Sequence, residues 1–153
     1  MLDSDNIRKN SETIQEYMKE LKDKAPSFVD RYNSYSLDHE AKTKLKCHSV
    51  GAFIIVFSAE WCPDCSRNVP VLAQISNETG IEVRVFGHLE RAAKDSGEKW
   101  RIPPSPPEVK DFDIVKIPTI MVYSLKGERL GEIIENPPNG KSLERAILDI
   151  LES

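Results

Sequence analysis

The sequence predicts an α/β fold: a central four-stranded mixed sheet flanked by helices, with a helical N-terminal extension. Three observations predict it. Val50 to Phe57 is continuously apolar and rich in β-branched residues, the signature of a strand buried on both faces of a parallel or mixed sheet. A helical segment and an alternating strand follow it, giving a β-α-β unit that must cross over right-handed. Two short β-type runs and a final apolar helical stripe then close the chain as β-β-α.

At 153 residues the chain suits one domain, burying roughly two-thirds of the surface its unfolded form would expose, so neither a metal nor a disulfide is needed to hold it. Its 25 acidic and 21 basic side chains give a formal net charge of -4 with no basic block, which argues against nucleic-acid binding. The first residues, Met1-Leu2-Asp3-Ser4-Asp5-Asn6, lack the basic and apolar regions of a secretory signal. The longest apolar run, Val50 to Phe57, is too short to span a bilayer. A soluble cytoplasmic protein without membrane association is therefore expected. Three cysteines fit that compartment better than a disulfide scaffold, because an odd count leaves one unpaired.

Residues 4–24 place Ile7, Ile14, Tyr17, Met18 and Leu21 at helical spacing, an amphipathic helix that packs on its own domain and ends before Pro26. Tyr32 to Lys46 reads as one or two short helical pieces. After the central strand, a helix from about Pro63 to Glu78 buries Val69, Leu72 and Ala73, with Gly80 placed to cap it. Ile81 to Phe86 alternates at its start, which fits an edge strand with one wetter face. His88 to Trp100 reads as a charged helix, and Pro103, Pro104, Pro106 and Pro107 stiffen the loop after it. Thr119 to Tyr123 and Arg129 to Ile134 form a hairpin through Gly127. A closing helix from near Asn139 carries Leu143, Ala146, Ile147, Ile150 and Leu151 on one side.

The chemistry is concentrated in Trp61-Cys62-Pro63-Asp64-Cys65. The central strand delivers Cys62 to the sheet's C-terminal edge, where α/β proteins place their chemistry. Its sulfur then sits at a helix N-terminus. Pro63 fits the first helical position, leaving the amides of Asp64 and Cys65 to face that sulfur. Those amides and the helix dipole favour thiolate, lowering the pKa from about 8.5 towards roughly 7. Cys62 is thus the candidate nucleophile, and Cys65, one turn further in, is placed to resolve the mixed disulfide. The Asp64 carboxylate opposes a second negative charge nearby, and Trp61 forms an apolar wall beside the sulfur.

With Pro70 five residues after the second cysteine and Ile117-Pro118-Thr119 later, this pattern resembles the thioredoxin family over about residues 47–153. The chain then divides into residues 1–46, a helical extension packed on the domain, and residues 47–153, a thioredoxin-like domain. The resemblance implies a helix kinked at Pro70. It also implies a cis bond before Pro118, with Ile117, Pro118, Thr119 and Trp61 shaping a groove for a substrate strand. The Cys-Pro-Asp-Cys motif is similar to that of small cytosolic relatives that reduce disulfides of small molecules and selected proteins. The implied activity is thiol-disulfide oxidoreduction in the reducing direction. No cofactor is needed beyond the Cys62–Cys65 disulfide, and an electron donor such as a thioredoxin reductase or glutathione would recharge it.

Three departures accompany the resemblance. Val56 stands where the family has a buried acid that accepts the resolving thiol's proton, leaving Glu60, Asp64 or water as candidates. Pro-Asp replaces Gly-Pro between the cysteines. The family's glycine in the last strand has no counterpart near Ile134-Glu135-Asn136.

Two other function classes use the same residues. Cys62 and Cys65 could join Cys47 and His48 in a four-coordinate zinc site, although a pair that follows a core strand and opens a helix is unlike a zinc knuckle. A thioredoxin-like binding module without turnover is the other, disfavoured by the intact cysteine pair. Cys47 itself reads as a packed or half-buried thiol, and His39, His48 and His88 as solvated or capping residues.

Overall fold

The structure is a computed structural model that describes residues 2–89 and 107–153. Its elements run α1 (Ser4–Asn10), β1 (Glu12–Thr13), α2 (Ile14–Leu21), α3 (Pro26–Ser34), α4 (His39–Lys46), β2 (Ala52–Phe57), α5 (Pro63–Thr79), β3 (Glu82–Phe86), α6 (Glu108–Asp111), β4 (Thr119–Ser124), β5 (Arg129–Ile134) and α7 (Leu143–Glu152). The sheet order is β1-β3-β2-β4-β5. Among the described residues β2 and β3 run parallel, and the β1–β3, β2–β4 and β4–β5 pairs are antiparallel. The expected α/β architecture and central strand are present, but among the described residues the sheet has five strands rather than four.

The fifth strand comes from a break in the expected N-terminal helix. Ser11 has an extended backbone, and Glu12–Thr13 pairs with Val85 and Arg84 of β3. Thr13 then opens α2 with a capping box, its hydroxyl accepting from the Glu16 amide at 3.0 Å and its amide donating to the Glu16 carboxylate at 2.8 Å. Such a reciprocal cap satisfies two orphan donors and marks a helix start rather than a continuation. β3 is consequently an inner strand, not an edge. Its polar positions are met by protein: Glu82 takes the Arg8 guanidinium at 2.9 Å, and Arg84 donates to the carbonyls of Arg8 and Ser11 at 2.8 Å.

Smaller shifts have equally local causes. Val50 lies in the turn before β2 and is 78% exposed, so the strand begins at Ala52. Pro26 starts α3 at its first position, where a missing N–H costs nothing. Helix α7 begins at Leu143 rather than near Asn139, because Ser142 caps it by accepting from the Arg145 amide at 3.2 Å. His88 and Leu89 are not helical; the rest of the expected charged helix, and the proline loop up to residue 106, lie outside the described residues.

Every residue of β2 is buried. On one face Phe57 stacks on Phe86 at 5.0 Å and meets Phe112, while the Arg8 guanidinium covers Phe53. Helices α2, α3, α4 and α7 pack against α5 and one another to form the helical layer. Gly80 ends α5 with φ +84°, the left-handed conformation of a C-cap. Among the described residues, no helix is long and apolar enough to cross a membrane.

Candidate active site

Three elements converge on the cysteine pair. Strand β2 ends at Phe57, Ser58 follows, and the chain turns through Ala59 to Trp61 so that Cys62 becomes the N-cap of α5. The Cys62 sulfur accepts the Cys65 backbone N–H at 3.2 Å. Pro63 occupies the first turn and Asp64 is its acidic residue. From the other side, the loop before β4 brings Ile117, whose carbonyl lies 3.7 Å from the Cys62 sulfur and accepts from its thiol. The Ile117–Pro118 bond is cis, and Thr119 opens β4 with its hydroxyl donating to the Lys116 carbonyl at 2.6 Å.

The two thiols differ in surroundings. Cys62 is 6% exposed and Cys65 wholly buried. A hydrogen bond from the Cys65 thiol, with the Cys65 and Asp64 amides adding to it, brings the Cys62 pKa down to about 7; burial and the Asp64 carboxylate work in the opposite direction. Burial first, then the hydrogen bond and charge of Cys62, push Cys65 far up. One sulfur is therefore ready to attack near neutral pH, while its neighbour holds a proton. That division is what a nucleophilic and a resolving thiol require.

Asp64 is fixed by contacts that sequence reasoning missed. Its Oδ1 accepts from Arg67 at 2.7 Å and from the Asn136 amide at 3.2 Å. The Asn136 Oδ1 accepts in turn from Arg67 and from Asn68, each at 3.0 Å. Asn68 also donates to the Glu135 carbonyl at 2.9 Å. The segment after β5 is thus tied to the first turn of α5. Glu135 adopts φ +66° there and donates its amide to the Pro118 carbonyl at 2.7 Å. Its carboxylate meets Lys116 at 3.6 Å.

Glu60 is exposed. Trp61 is 45% exposed and donates its indole N–H to the Leu89 carbonyl at 3.1 Å. Pro70 lies inside α5, removing one backbone hydrogen bond from the helix. The expectation for Cys47 needs correction, since it is exposed at the C-cap of α4. The proposed zinc set is not assembled either. Among the described residues, the group of three or more His, Cys, Asp or Glu with ligand atoms within 4.8 Å of one another is Glu12, Glu20 and His88.

Two buried hydroxyls complete the surroundings. The Tyr17 hydroxyl of α2 lies 3.0 Å from the Ser58 hydroxyl, and both residues are wholly buried. Ser58 stood inside the sequence motif without a role; Tyr17 was legible only as part of an apolar stripe.

A family model described as thioredoxin matches residues 10–103, more than half of the chain. A thioredoxin of Rickettsia typhi is 30% identical over 70 residues, which cover 46% of this chain and 55% of that relative. The chain therefore spans about half the length of that relative. Among solved structures, a Pseudomonas aeruginosa protein of unknown function superposes with a TM-score of 0.68 at 18% identity, covering 99% of this chain and 98% of its own. An HIV epitope-scaffold superposes with a TM-score of 0.58 at 20% identity over 83% of each chain. Both are likenesses of fold. With a mixed sheet, a cysteine pair opening α5 and a family match across more than half its length, the chain belongs to the thioredoxin family.

Proposed function

We propose that this protein reduces disulfides of protein or small-molecule substrates through the Cys62–Cys65 dithiol. The carrying observation is the unequal pair itself, Cys62 with its pKa near 7 beside a protonated, buried Cys65. The Cys62 thiolate attacks one sulfur of a substrate disulfide, forming a mixed disulfide and releasing the other sulfur as thiolate. Cys65 then loses its proton and attacks the Cys62 sulfur. A Cys62–Cys65 disulfide forms, the second substrate thiolate leaves, and two electrons have passed to the substrate.

In this reading Pro63 and Asp64 tune the pair, and Trp61, Ile117, Pro118 and Thr119 form the docking groove. An electron donor, a thioredoxin reductase or glutathione, returns the pair to the dithiol. A reducing compartment such as the cytoplasm would keep the pair reduced and favour the reducing direction. Insulin-disulfide reduction tests the reading. Cys62→Ser is expected to abolish it, and Cys65→Ser to trap a mixed disulfide visible by mass spectrometry. Wild-type turnover by Cys62→Ser would overturn the mechanism.

A further inference from the structure

Away from the cysteines, three side chains of mixed chemistry meet from three parts of the fold. Glu12 belongs to β1, Glu20 to the last turn of α2, and His88 follows the end of β3. One carboxylate oxygen from each glutamate and one imidazole nitrogen from His88 all lie within 4.8 Å of one another. The His88 Nε2 is 2.8 Å from the Glu20 Oε1 and 4.0 Å from the Glu12 Oε1.

Those two oxygens need a partner. Both are shut off from solvent, and neither accepts a hydrogen bond. Buried acceptors in folded proteins nearly always have one, and an orphan with no protein donor points to a water or an ion. The partner must also offset charge, since one imidazolium balances one carboxylate and two glutamates face it. Burial, and then the second carboxylate, raise Glu12 to about 7. A divalent cation between both carboxylates and a neutral imidazole removes that imbalance.

The spacing and the donors suit such an ion. Around tetrahedral zinc, with bonds of about 2.0–2.2 Å to nitrogen and oxygen, neighbouring ligand atoms lie roughly 3.3 Å apart. The two distances from His88 fall on either side of that value. Calcium and magnesium take oxygen ligands, whereas an imidazole suits zinc. Three protein ligands leave a fourth position, and the outer side is open to fill it. The His88 side chain is 48% exposed and lines, with Glu12 and Gly87, a cavity of about 350 Å³. Its ring rests against Tyr17 in an edge contact at 6.5 Å.

We propose that Glu12, Glu20 and His88 form a site for a divalent transition-metal ion, Zn²⁺ by its donor set, which clamps β1 and α2 to the end of β3. The site is separate from the cysteine pair and does not depend on the redox reading. It fastens the N-terminal segment to the stretch whose next residue, Leu89, accepts the Trp61 indole N–H.

Isothermal titration with Zn²⁺ tests the proposal, on the full-length chain carrying Cys47→Ser, Cys62→Ser and Cys65→Ser so that no thiol competes. One ion per chain should bind, and the melting temperature should rise with zinc and fall back with a chelator. Glu12→Gln, Glu20→Gln and His88→Ala, each in that background, should weaken uptake by at least the roughly 10–100-fold that loss of an outer-shell partner costs. At pH 8 without zinc, Glu12→Gln should melt at or above its parent, because the repulsion between the carboxylates is gone, and should gain nothing from added zinc. That separates loss of a ligand from loss of the fold. A chain that takes up no zinc would overturn the proposal. So would parental affinity in any of the three variants, or a zinc-induced gain in Glu12→Gln equal to the parent's.

Discussion

Asn136, just beyond β5, donates its side-chain amide to the Asp64 carboxylate between the two cysteines, across 72 residues of sequence. Arg67 donates to both. The acid between the two cysteines is thereby held in place, where its charge opposes that of the thiolate. Asp64→Asn should therefore lower the Cys62 pKa below about 7 and make the disulfide more oxidising, since a more stable thiolate favours the reduced pair. Thiol titration and equilibration with glutathione measure both quantities, and a pKa that is unchanged or higher would exclude this role for Asp64.

Alkylation of Cys62 by iodoacetamide should rise with pH through a midpoint near 7. Because the folded pKa is depressed below that of an ordinary thiol, the associated stability is full above the ordinary value and is lost as pH falls through about 7. Cys62→Ser should thus melt closer to the wild-type reduced protein at pH 6 than at pH 9. Calorimetry of the two proteins across that range is the measurement.

Glu12 carries the opposite sign. Burial, and then the Glu20 carboxylate, raise its pKa from 4.5 to about 7, against the pull of His88. A raised carboxylate contributes stability that is complete below its unfolded value and disappears as pH climbs through the folded one. The melting temperature should accordingly decline between about pH 5 and 8, and Glu12→Gln should flatten that decline. An equally steep decline in the variant would show that another group governs it.

Gly87 offers a perturbation remote from the sulfurs. A Cβ there would come within 2.5 Å of the Tyr17 ring, so the ring must shift and its bond to Ser58 with it. Gly87→Ala should destabilise the fold by roughly 1–3 kcal/mol, the usual cost of overpacking a core, measurable as a lower urea midpoint. An unchanged midpoint would mean that the core absorbs the methyl without moving Tyr17.

Much of the site was legible because its logic is local. Cys62, Pro63 and Cys65 lie within one turn, so a strand followed by a proline-started helix was enough to foresee a sulfur facing backbone amides. The capping box of Thr13 and Glu16 was equally local, and would have located the break before α2. The two-residue strand it exposes is too short for any periodicity to reveal; pairing with β3 defines it.

By itself, the sequence determined which residues could carry redox chemistry and the order of the central strands and helices, because short-range spacing and apolar periodicity act through neighbours along the chain. Tertiary structure alone decided that β3 is an inner strand, that Asn136 reaches Asp64, and that Tyr17 reaches Ser58. Each is a contact between groups tens of residues apart. Such contacts are set by how buried polar atoms find partners once the layers close, and an apolar stripe gives no sign of which of its members carries a hydroxyl to the site.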